Sequence, residues 1–140
     1  MHQGKLLALI VSHKFNDNGL RFLTSDDMSQ QLAFMRYPAG KNIMPHIHNR
    51  AERTVEFTRE TLFIRSGKLR VDFYSDDKCY LESRILETGD VILLAGGGHG
   101  FEVIEEVEMI EVKQGPYLGE RDRTTFTASV TRKAGSGGEL

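Results

Sequence analysis

The chain has 140 residues, enough for one domain with a real core, and its 39% hydrophobic and 27% charged residues are those of an ordinary globular protein. A formal net charge of −2 gives no electrostatic case for nucleic acid or an anionic membrane surface. No apolar run approaches the roughly 18 residues that a membrane helix requires.

In chain order the sequence reads as short β-type runs separated by turn residues. Leu6 to Val11 is the first expected strand. It starts close to Met1 without a small-residue cleavage site, so no signal peptide is expected. Asn16-Asp-Asn-Gly19 is a turn signal, followed by a short strand from Leu20 to Leu23. Leu32 to Tyr37 is stopped by Pro38-Ala-Gly40, and Ile43 to His48 is expected to be a strand carrying two histidines. Thr61 to Ser66 runs into Gly67-Lys68, a tight-turn signal. Leu69, Val71 and Phe73 alternate with Arg70, Asp72 and Tyr74, the period of a half-buried strand. Ser75 to Lys78 reads as a hairpin loop into Cys79 to Leu86, and Glu87-Thr-Gly89-Asp90 as a further turn. Val91 to Leu94, Phe101 to Ile104 and Val107 to Lys113 complete roughly nine or ten strands, which predicts an all-β sandwich or barrel. Residues 1–123 form the expected domain, and the Gly/Ser-rich end marks 124–140 as a flexible tail. Cys79 is the only cysteine, so no intrachain disulfide forms and a reducing, cytoplasmic home is expected.

Four residues carry the chemistry. His46 and His48 are two residues apart, which on a strand places both imidazoles on one face about 7 Å apart. Imidazoles so placed can lean toward one ion at roughly 2.0–2.1 Å from each nitrogen. Glu60, Leu62 and Ile64 share a face by alternation, so Glu60 can point inward, where a divalent cation would compensate its charge. Gly96, Gly97 and Gly98 allow a sharp turn before His99. His2 and His13 read as surface or hydrogen-bonded histidines.

These residues resemble the two cupin motifs. Gly40 to His48 looks like the opening of the first, with Glu60 seven residues before Gly67 as its carboxylate. Gly89 to Phe101 resembles the second, with His99 as the third imidazole and without the usual proline. The stretch from Pro38 to Tyr117 resembles small single-domain cupins, some of them encoded near polysaccharide and nucleotide-sugar genes. Eleven residues separate His48 from Glu60, more than most cupins have there, and Glu52 is the rival ligand at the shorter spacing.

The resemblance implies a double-stranded β-helix, or jelly-roll barrel, holding a divalent transition metal on His46, His48, Glu60 and His99. Zn, Fe, Mn, Ni and Co all suit mixed nitrogen and oxygen ligands. It implies a small oxygen-rich substrate, sugar or sugar-nucleotide among the options, and isomerase, lyase, hydrolase or dioxygenase chemistry. Arg50, Arg53 and Arg59 are candidates to hold an anionic substrate by paired hydrogen bonds. Glu60 and Tyr117 are candidate catalytic groups. Two alternatives stand beside this reading. One is a non-enzymatic metal- or sugar-binding module. The other is a metal-independent sugar-nucleotide epimerase, which needs a histidine with an acidic partner and a tyrosine acid, for which Tyr74 and Tyr117 are available. A homodimer formed through an edge strand is expected by the same analogy.

Overall fold

A computed structural model describes residues 1–128. They form an all-β structure of seven strands and one short 3-10 turn, Gly119–Asp122. The strands are β1 (Ala8–Val11), β2 (Gly19–Phe22), β3 (Ala33–Arg36), β4 (Glu60–Tyr74), β5 (Tyr80–Glu87), β6 (Val91–Leu94) and β7 (Gly98–Lys113). The chain divides into two units, one made of residues 1–14 with the chain from Arg59 onward, the other of Phe15–Thr58. No helix among the described residues is long and apolar enough to cross a membrane.

The first unit is built on β4. Along one side β4 pairs antiparallel with β7 over nearly its whole length, from Glu60↔Lys113 to Tyr74↔Gly98. Along its other side β6 pairs with residues 60–63 and β5 with residues 68–74, while β1 closes onto β6. Leu62, Ile64, Leu69, Val71 and Phe73 of β4 form the core with Leu86, Ile92 and Leu94. Ile64 and Leu69 are an odd number of residues apart, so an unbroken pleat would send them to opposite faces. The ladder instead shifts register between Ile64 and Leu69, and both side chains are fully buried on one face.

Gly67 makes this bend possible. Its φ is +93°, and a Cβ there would lie 2.0 Å from the backbone oxygen of Glu106. The sequence predicts a tight turn at Gly67-Lys68 and two strands around it. The structure has one strand kinked by bulges, because β7 pairs with it on both sides of Gly67, across the shifts of register, and no hairpin forms there. The expected strands at Phe101–Ile104 and Val107–Lys113 are merged for the same reason.

The kink has a large consequence. A straight strand would separate Glu60 from Phe73, the register partner of His99, by about 40 Å. Yet the Glu60 carboxylate lies 3.8 Å from the His99 imidazole. The β4–β7 ribbon is therefore curled back on itself, and its two ends meet on the concave face.

The opposite face of β4 carries a polar network. Arg70 holds Asp72 through Nε at 3.0 Å and Nη2 at 3.3 Å and pairs with Glu102 across the strand. Ser83 donates to Asp72 at 2.5 Å and is itself 2.7 Å from the Tyr80 hydroxyl. The predicted turn before β6 is present. Asp90 Oδ2 accepts from the Glu87 amide at 2.7 Å, and Oδ1 accepts from the His13 amide at 2.7 Å and lies 2.8 Å from His13 Nδ1. Burial works to raise the Asp90 pKa, but these hydrogen bonds and the adjacent imidazole outweigh it and hold the group below the usual carboxylate range. His13 is thus a hydrogen-bonded structural histidine, as its sequence context suggests.

The second unit is small. β2 and β3 form an antiparallel pair from Gly19↔Arg36 to Phe22↔Ala33, with Phe15 packed edge-on against Phe34 at 5.1 Å. Thr24 and Gln31 tie the hairpin loop, the hydroxyl lying 2.7 Å from Oε1 and accepting from the Leu32 amide. From Lys41 to Thr58 there is no regular structure, so the strand expected at Ile43–His48 is not formed. That segment has no ladder partner among the described residues, and Pro45 removes a donor immediately before the histidines. The expected tail falls mainly on residues 129–140, outside the described residues. Phe126, at its beginning, packs against Tyr74 at 5.2 Å.

Candidate functional site

The four proposed ligands fall into two pairs, one in each unit. His46 and His48 lie in the second unit, exposed, with ring centroids 5.3 Å apart and planes at 80°. His46 Nδ1 is 2.9 Å from the carbonyl oxygen of Met44, which leaves Nε2 as its outward nitrogen. The neighbours Met44 and Ile47 are exposed as well, at 79% and 87%. This pair is local: its closeness follows from chain spacing and not from folding.

Glu60 and His99 lie in the first unit, and their closeness is wholly a product of the fold. Their side chains retain 22% and 29% of their accessible surface, half-sunk in the concave face of the sheet. Burial pushes the Glu60 carboxyl up, and the neighbouring Glu111 carboxylate adds to this by charge and by a hydrogen bond, while Lys113 and Arg123 oppose it. Burial pushes the His99 imidazole down, with Arg123 assisting and Glu111 opposing. His99 is therefore held toward its neutral form, in which one ring nitrogen has a lone pair available for a proton or a cation. The Phe101 ring lies beside it at 5.4 Å. Among the described residues there is no cluster of three or more His, Cys, Asp or Glu side chains arranged to hold a metal ion.

The remaining candidates suggested by the sequence are dispersed. Glu52 is exposed and paired with Arg50 at 3.3 Å, and Arg53 is exposed in the same irregular segment. Arg59 uses its backbone amide to bond the Gln114 side chain. Tyr117 is 83% exposed beneath the Lys113 ammonium, 5.9 Å from the ring centroid. Tyr74 is buried between Tyr80 and Phe126. A shallow cleft of about 710 Å³ in the second unit is lined by Asn18, Gly19, Arg36, Tyr37, Pro38 and Lys41 and contains none of the candidate ligands.

Three residues around Glu60 escape a reading of the sequence: Glu111, Lys113 and Arg123. The run from Ile104 to Glu111 reads as a solvated strand face, but the register divides it. Glu111 is opposite Leu62 and Lys113 opposite Glu60, on the concave side, whereas Glu102 pairs with Arg70 on the convex side. Alternation along β7 from His99 finds Glu111 and Lys113 once His99 is placed on a strand and not in a loop. Arg123, beyond the 3-10 turn, has no comparable sequence signal.

Comparison with family models, with curated proteins and with solved structures finds no match to this chain.

Proposed function

We propose that the chain is a cupin-like protein whose concave sheet face carries a small-molecule site centred on Glu60 and His99, and that His46, His48, Glu60 and His99 are its candidate ligands for a divalent transition metal. The observation that carries this reading is the contact between Glu60 and His99, two residues from the opposite ends of one curled ribbon. Two donors that the sequence pattern nominates independently are neighbours in space. The donor set fits such an ion: neutral imidazole nitrogens, one of them biased toward neutrality by burial, and a carboxylate. A bound ion would supply Lewis-acid chemistry, polarising a substrate oxygen or acidifying water. The chain's own residues would do the rest. Glu60 and His99 would hold the ion through the carboxylate and an imidazole nitrogen, and Phe101 keeps one side of the imidazole apolar. The substrate class is a small oxygen-rich molecule.

A second reading draws on the same contact. A histidine with a carboxylate neighbour is also the core of a metal-free acid–base site, with Tyr117 as the accessible proton donor and Tyr74 enclosed by other rings. A non-enzymatic binding module differs from both by lacking turnover. A second copy of the chain is the proposed partner, and β7 supports it: it pairs only with β4 among the described residues, and Ile104, Ile110 and Val112 are exposed along it.

The test is elemental analysis of purified protein together with incubation of the metal-loaded chain with sugar nucleotides and oxo acids. Metal lost on His99→Ala, with turnover lost on Glu60→Gln, supports the metal enzyme. Turnover without metal supports the acid–base reading. Saturable binding without product supports the binding module.

A further inference from the structure

The segment that follows β7 touches both ends of the curled ribbon. At its start Gln114 Oε1 accepts from the amide of Arg59, the residue before Glu60. At its far end Phe126 packs edge-on against Tyr74, with ring centroids 5.2 Å apart and planes at 88°, and the Lys78 ammonium lies 5.9 Å from the Phe126 centroid. A Cβ on Gly98 would come within 3.1 Å of the Phe126 ring, so glycine leaves the ring its seat. Gly98 is the residue before His99, and successive residues of a strand point to opposite faces. Phe126 therefore grips the back of the ribbon end whose front carries His99. Phe126 is half-buried, whereas residues 123–125 and 127–128 are exposed, so this anchor rests on one ring. Residues 115–125 join the two anchors, a span that includes the 3-10 turn Gly119–Asp122 and the exposed Tyr117 and Leu118.

We infer that residues 114–126 are a clasp that holds the ribbon curled, with Phe126 as its detachable catch and a positioning residue for the Glu60–His99 pair. The need for a clasp comes from the hinge. The β4–β7 ladder shifts register between Ile64 and Leu69, and a ribbon bent where its ladder is interrupted opens and closes about that point unless its ends are tied. The 3.8 Å contact of Glu60 with His99 lies at those ends, and a partly exposed carboxylate–imidazole contact is too weak to close them alone. The clasp bridges the ends through the chain itself, so separating them breaks either the Gln114 hydrogen bond or the Phe126 contact. It concerns how the pair is held together and is independent of what the pair binds.

The test is amide hydrogen exchange on the full chain, with the wild type set against Phe126→Ala and Gln114→Ala. Phe126→Ala is expected to speed exchange about 3- to 10-fold at both ribbon ends. One end is residues 60–63 with 110–113, and the other is residues 73–74 with 98–100. The amides of Leu69 and Val71, in the core, keep their wild-type rates. Gln114→Ala gives the same two-ended pattern from the other anchor. A rise confined to the end that carries the substituted anchor, or no rise, in either variant makes that anchor a local contact and overturns the clasp. If Phe126→Ala also speeds the core amides, Gln114→Ala alone decides between these outcomes. Metal content read on the same samples separates the two ideas. Metal without a two-ended response removes the clasp and leaves the metal site, whereas a two-ended response without metal does the reverse.

Discussion

The two donor pairs are held by opposite means. Glu60 and His99 are distant in sequence and adjacent in space, fixed by a ladder, a bulge and a buried core. His46 and His48 are adjacent in sequence and lie in an irregular segment whose apolar residues Ile43, Met44, Ile47 and Phe57 are all exposed. Local spacing is enough to bring two imidazoles together but not to orient them, because orientation comes from packing and from ordered hydrogen bonds. Glu60 and His99 are therefore held together by the fold, whereas the histidine pair is held together by chain spacing alone.

Substitutions can break this contrast in stages. Gly67→Val should be the most damaging: the new side chain meets the Glu106 carbonyl at a positive φ, the kink cannot form, and Glu60 is no longer returned to His99. Strain and overpacking together cost about 3 kcal/mol or more, read as loss of the cooperative urea transition. A stable Gly67→Val protein would show that the bend does not depend on that approach. Leu69→Ala, at a fully buried position, should cost about 2–5 kcal/mol, whereas Ile47→Ser should stay within about 0.5 kcal/mol because Ile47 is exposed. Comparable losses in the two would mean that the histidine segment is packed as firmly as the core.

Asp90→Ala should cost about 1–3 kcal/mol, since two backbone amides and an imidazole lose their acceptor. The sign with pH follows from the depressed folded-state pKa. Asp90's contribution is present above its unfolded value of about 3.9 and is lost as the pH falls through the folded value. The wild-type advantage over Asp90→Ala should thus shrink in acid, and a difference that grows there would contradict the assignment. The smallest effect has the opposite sign. Glu60 has a raised pKa, mainly through burial and then through Glu111, so its ionisation opposes folding as the pH rises through the folded-state value. Glu60→Gln should slightly raise the neutral-pH melting temperature of the metal-free protein while weakening metal uptake. A fall in melting temperature would identify Glu60 as a structural residue.

Much of the β architecture can be read from alternation and turn chemistry. Val91–Leu94 has the expected bounds, and Ala8–Val11, Gly19–Phe22, Ala33–Arg36 and Tyr80–Glu87 differ from expectation only at their ends. The kink in β4 cannot be read, because Gly67-Lys68 has the composition of a hairpin turn, and only the pairing with β7 on both sides of it distinguishes a bend from a reversal. His99 reads as a loop residue for a related reason: three glycines suggest a turn, yet Gly98 already pairs with Tyr74 at the start of β7. The period-two rule that nominates Ile43–His48 measures compatibility with a strand, and a strand also needs a partner to bond. Glu111 and Arg123 are invisible as site residues because their relation to Glu60 depends on register and on a chain return that no local pattern encodes.

Metal stoichiometry addresses the proposed site most directly, measured by elemental analysis on the wild type, His99→Ala and His48→Ala purified alike. The account predicts about one divalent ion per chain in the wild type and its loss in both variants, with each variant still folded. A wild type free of metal after loading, or full occupancy in both variants, would contradict it.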